Sequence, residues 1–184
     1  LGPRVAERVF VTRHIKEHMP EAFDFDIPSV CAIAPGVLGV TGVETMDIVF
    51  GVANKVKPDL IIAVDALASR RAARISTTIQ LSDSGISPGS GVGNTRADLS
   101  RANLGVPVIA VGVPLVVYAS TISQDTISLI ADETGLHGDE ERLRELAEQV
   151  IAKHMGDFIV TPKDIDVIVE DMAGIIANAI NSAL

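Results

Sequence analysis

Two apolar runs of strand length, LIIAV at 60–64 and VPVIAVGV at 106–113, carry no alternating polar positions. A strand with one wet face alternates, so both runs read as strands buried on two sides, as in a parallel sheet covered by helices. Aromatic residues are only 3% of the 184 positions and Trp is absent, against 47% apolar residues, so the core must be packed from Val, Ile, Leu and Ala. That length suits a single domain, residues 1–184.

The intervening segments supply the helices. Val5, Val9, Thr12 and Ile15 recur at helical spacing behind Pro3, which predicts that the chain opens directly in an amphipathic helix. PEAFDFDIP reads as a linker and SVCAIAP as a short buried strand ended by Pro35 and Gly36. Thr41 and Glu44 form a capping-box pattern, predicting a helix from Gly42 to about Val56. The Ala-rich ALASRRAARI suggests a helical turn or two, ISTTIQLS a strand with one wet face, and YASTISQDTISLIADE a helix. A surface helix follows Gly138, with Leu143, Leu146, Val150 and Ile151 on one face. In the last helix Thr161 caps, Pro162 takes the first turn, and Ile165, Ile168, Val169, Met172, Ile175, Ile176, Ala179 and Ile180 form a core stripe. Strands separated by helices predict an α/β fold, a doubly wound and mostly parallel sheet with helices on both faces.

Charge and cysteine usage exclude several classes. The net charge is −9, and no basic run exceeds the pair Arg70-Arg71, so a nucleic-acid backbone is not an expected ligand. No apolar stretch approaches the length needed to span a bilayer, and no signal segment opens the chain, so no membrane contact is expected. A single cysteine, Cys31, has no internal partner and fits a reducing cytoplasm as a small buried residue.

The chemical candidates are few. Asp65 follows directly on LIIAV, so the strand would carry its carboxylate to the carboxyl edge of the sheet, where α/β folds place ligands; it could equally cap a following helix. Asp47 and Asp83 read as caps or solvated charges. The loop SDSGISPGSGVGN, Ser82 to Asn94, admits three readings: a phosphate cradle, a mobile connector, or a site wall. Its alternate glycines lack the Lys of a P-loop and the spacing of a dinucleotide fingerprint, so no nucleotide cofactor is expected. His14, His18, His137 and His154 show no paired ligand spacing, and no metal site is expected.

IAPGVLGVTGVET, KPDLIIAVDALASR, TIQLSDSGISPGSGVGN, LGVPVIAVGVP and the closing VTPKDIDVIVEDMAGIIANAINSAL together resemble, in order, the spore germination protease family. The resemblance implies an endopeptidase that degrades small acid-soluble spore proteins during germination. It further implies a zymogen, a homo-oligomer (a tetramer in the family), a cytoplasmic site in the spore core, and the three-layer sandwich of hydrogenase maturation endopeptidases. The family's proposed catalytic pair is two aspartates. The second matches Asp65; the first lies in a pattern Asp-Ala-Leu-Gly-Pro, whose last three residues match Leu1-Gly2-Pro3, so the partner is expected just upstream of Leu1 and the domain is expected to lack its first strand. Between about Ala131 and Asp157 the chain reads as shorter than its relatives. On this reading Asp83, Ser84, Gly85, Gly89, Ser90, Gly91, Gly93 and Asn94 line a peptide cleft beside Asp65, where missing side chains let substrate backbone approach.

Two nearby carboxylates that share one proton can activate water and protonate the leaving amine, because like charges in contact cannot both ionise. Two alternatives remain at this level. A carboxylate pair could hold a divalent cation, as in hydrogenase maturation enzymes, or the domain could bind without catalysing.

Overall fold

The computed structural model describes residues 1–19, 27–89, 97–135, 138–154 and 158–184. Helices α1 (Gly2–Ala6), α2 (Arg13–His18), α3 (Leu38–Thr41) and α4 (Thr45–Val56) precede strand β1 (Ile61–Ser69). A 3₁₀ turn (Ala72–Arg74), β2 (Gln80–Ser82), α5 (Arg101–Leu104) and β3 (Val108–Tyr118) follow. The chain ends with α6 (Ala119–Thr134), α7 (Glu140–His154), β4 (Ile159–Val160) and α8 (Ile165–Ala183).

The molecule is α/β, as the apolar runs predict, and β3 is its axis. β1 pairs with it in parallel over the full length of β1, from Ile61 beside Val108 to Ser69 beside Val117, with a register shift between Leu67 and Ala68. The short β2 and β4 pair antiparallel with β3, so the sheet is mixed and its parallel part is the β1–β3 pair.

Alternation along β3 divides the core into two layers. Val111, Val113 and Leu115 pack with Val5 of α1 and with Ala173, Ile176 and Ala177 of α8. On the other face Val108 packs with Ala63, Leu99 and Leu104, and Met46 and Val49 of α4 close over them. Among the described residues no helix is long and apolar enough to cross a membrane.

Several local expectations give way to tertiary contacts. The opening helix is broken between α1 and α2, because Asn181 of α8 takes the intervening backbone: its side chain accepts from the Phe10 N–H at 2.9 Å and donates to the Arg8 carbonyl at 3.0 Å. SVCAIAP forms no strand. Val30 instead accepts the N–H groups of Thr12 and Arg13 and donates its own to the Thr12 hydroxyl, which leaves Cys31 exposed rather than buried. Thr41 closes α3, its hydroxyl donating to the Val37 and Val43 carbonyls, so no capping box forms and Glu44 stands at the N-cap of α4. Thr161 likewise spends its hydroxyl on the Leu115 carbonyl at 2.9 Å, and α8 starts at Ile165 behind Asp164. The α8 stripe faces the core through Ile165, Ile168, Val169, Met172, Ile176 and Ile180, whereas Ile175 and Ala179 are exposed.

Candidate functional site

Asp65 is the fifth of the nine residues of β1, not its end, because β3 continues the pairing through ALAS and converts the expected helical turn into strand. A mid-strand aspartate has no helix to cap. Ala63 lies in the α4 layer and Val64 against the α8 layer, so alternation turns Asp65 to the α4 side.

In register, Asp65 stands beside Gly112 of β3, and Gly112 beside Gln80 of β2. The row therefore runs carboxylate, bare backbone, amide. A Cβ at Gly112 would lie 2.3 Å from Leu67 Cδ1, so Leu67 leans into the space that the missing side chain leaves. Burial pushes the Asp65 carboxyl above the usual carboxylate range; the Ala66 N–H, donating to its Oδ1 at 2.8 Å, pulls the other way with less effect. A carboxyl held in this manner exchanges its proton closer to neutrality than a solvated aspartate, which suits general acid or base work.

Gly2 packs so closely on β1 that a Cβ there would lie 2.9 Å from the Val64 carbonyl oxygen. The entry to α1 thus abuts the residue that precedes Asp65.

The remaining sequence candidates begin elsewhere on the sheet. Ser82, the last residue of β2, pairs with Ala110, two positions toward the amino end of β3 from Gly112, and Asp83 to Gly89 continue from there. Asp83 is exposed. Ser84 turns back on Ser82, with the two hydroxyls 2.6 Å apart and the Ser84 N–H donating to Ser82 Oγ at 3.2 Å. Gly85 has φ +91° and its missing Cβ would sit 2.2 Å from the Leu99 carbonyl oxygen, beside the Ile86–Leu99 bridge. Gly89 is also left-handed, at φ +74°. Ser90, Gly91, Gly93 and Asn94 lie outside the described residues. The register thus brings Asp65 into one row with Gly112 and Gln80, and Ser82, from which Asp83, Ser84 and Gly85 continue, stands two pairs along β3 from that row.

Sequence reasoning missed Gly112 and Gln80, although a lone glycine inside a strand signals close approach of another group. It also missed Ser76 and Thr78. Among the described residues their hydroxyls are buried without a partner, and Ser76, at φ +58°, is held to β3 by its N–H donating to the Pro114 carbonyl at 2.8 Å. Among the described residues no three of His, Cys, Asp and Glu converge as a metal-ligand group.

These features define an α/β domain built around one partly buried carboxylate on the face of its parallel strand pair. A family model described as germination protease matches residues 1–142 and 134–184, and the chain belongs to that family. The matched stretches meet at 134–142, inside the region expected to be shorter than in relatives. The germination proteases of Clostridium tetani and Caldanaerobacter subterraneus are 45% and 48% identical over alignments of 197 residues that cover the whole chain and 61% of each relative. That of Bacillus cereus is 42% identical over 229 residues, covering the whole chain and 62% of the relative. The chain therefore spans about three fifths of the curated relatives it matches.

Proposed function

We propose that the protein acts as an endopeptidase on small acid-soluble spore proteins during germination, with Asp65 as one of two carboxylates that activate water. The observation that carries this reading is the environment of Asp65. Its carboxyl is raised by burial, and the start of α1 packs against Val64, so an aspartate two residues before Leu1, as the family pattern has it, would enter beside it. Two carboxyls there would share a proton, one taking a proton from water while the other delivers one to the leaving amine. Gly112 stands beside the carboxylate with Leu67 over it, and Gln80, next in the row, supplies an exposed amide for a substrate peptide group.

The test uses the full-length protein and purified spore-protein substrate. Asp65→Asn should lower kcat by about a hundred- to ten-thousand-fold, since the amide keeps the hydrogen bond and loses the proton. The upstream Asp→Asn change should cost as much, and the double variant little more, because groups that act as one unit are strongly non-additive. Near-normal turnover by Asp65→Asn would remove the residue from the mechanism. Loss of activity to a chelator, restored by a divalent metal, would replace the carboxylate pair with a metal-assisted reaction.

A further inference from the structure

Gly112 has no conformational need to be glycine. It lies in the middle of β3, paired with Asp65 on one side and Gln80 on the other, and it is not among the glycines with left-handed φ. One residue keeps a side chain out. The three atoms nearest an added Cβ are Cδ1, Cγ and Cδ2 of Leu67, all within 3.2 Å.

Core packing does not account for this pose. Leu67 is half-buried and, among the described residues, belongs to neither layer of the core. In register it faces Pro114, yet its side chain lies back along the sheet over Gly112, the partner of Asp65. Asp65 and Leu67 are two positions apart in β1 and share a face. The leucine thus fills the place beside the carboxylate that a side chain at 112 would take. An apolar group there displaces water from one flank of the carboxyl, which disfavours its charged form.

Charged neighbours are few. β1 carries no titratable side chain besides Asp65, β2 carries none, and β3 carries Tyr118 at its far end. Over the same face α4 brings Asp47 and Lys55, and α5 brings Arg101, preceded by Asp98, which accepts from Asn103 at 2.7 Å. Against β1, α1 brings Arg4, which meets Glu7 and Glu170. Burial, not charge, is the largest influence on the carboxyl.

We infer that Leu67, seated on Gly112, is a positioning residue of the site: it walls Asp65 from water, so that of two carboxyls Asp65 keeps the shared proton and delivers it to the leaving amine. The other carboxylate then takes the proton from the attacking water. The use of the proton rests on the carboxylate-pair reading; the seat of the leucine does not.

Two measurements need no turnover. In full-length protein with the upstream aspartate replaced by Asn, carboxyl-carbon NMR follows Asp65 alone. Leu67→Ala and Leu67→Asn should lower the pH at which it titrates toward the ordinary carboxylate value, and Leu67→Met, which keeps the apolar bulk, should leave it raised. Gly112→Ala should lower the unfolding midpoint in the parent and change it little in Leu67→Ala, where the methyl group has room. An unmoved Asp65 titration in Leu67→Ala overturns the inference, as does a Leu67→Met shift as large as that of Leu67→Asn, or an equal cost of Gly112→Ala in both backgrounds. With both aspartates present Asp65 should be the later to ionise, and the opposite order overturns its role as the proton donor. Activity is read separately. Leu67→Ala should lower turnover about tenfold at neutral pH and move the pH–rate profile to lower pH, which a merely structural loss would not do. No turnover by the parent, with the titration and stability results intact, would sink the peptidase reading and leave the apolar wall standing.

Discussion

Asp65 carries opposite consequences for stability and for chemistry. Burial raises its carboxyl, so the folded protein holds that proton more tightly than the unfolded chain. The contribution to stability is then fully present below the ordinary carboxylate value and lost as pH rises through the raised one. Asp65→Asn should therefore melt at a higher temperature than the parent near pH 7, and the gap should close on acidification below the ordinary carboxylate value; calorimetry across that range measures it. Gly85 makes the converse case, a site-loop candidate with a sufficient structural duty. Its φ of +91° and the 2.2 Å approach of the Leu99 carbonyl oxygen leave no place for a methyl group. Gly85→Ala should cost about 2–4 kcal/mol by denaturant titration, from left-handed strain together with overpacking. A smaller loss would mean that the Ile86–Leu99 bridge yields.

Elements were legible in the sequence where burial is continuous and illegible where a partner decides. LIIAV and VPVIAV announce β1 and β3 because both faces are covered, and the α8 stripe announces its core face. Ile176, 3% exposed, should lose about 2–5 kcal/mol on truncation to Ala, whereas Ile175, 53% exposed, should change by no more than about 0.5 kcal/mol. Equilibrium unfolding of the two variants checks the orientation of the helix directly. What the sequence concealed depends on contacts between distant segments. ALAS becomes strand only because β3 extends beside it, and β2 and β4 are three and two residues held by the same neighbour. Thr41 and Thr161 look like caps, but each hydroxyl goes to a carbonyl. The candidate site divides in the same manner. Asp65 stands out because it interrupts an apolar run, while Gly112 and Gln80 join it through cross-strand register, which no local pattern encodes.

At the scale of the whole molecule, the entry of α1 links chain extension to the site. Gly2 abuts the Val64 carbonyl, so residues upstream of Leu1 enter beside the strand that bears Asp65. In the extended protein, replacing the upstream aspartate by Asn should lower the pH at which Asp65 titrates, because a second carboxylate nearby disfavours ionisation; carboxyl-carbon NMR resolves the shift. An unchanged Asp65 titration in the extended protein would separate the two carboxylates in space. The central position of β3 governs how the molecule is made. Ile61 meets Val108, Gln80 meets Gly112 and Val117 meets Val160, so each ladder closes a loop of roughly thirty residues or more. None is a tight hairpin that could form early and alone. Refolding should therefore be slow, with most of its barrier spent on gathering remote segments around one strand. Val111, Val113 and Val117, all buried, should exchange their amide hydrogens only when the entire chain unfolds, while the ends of α2 exchange freely.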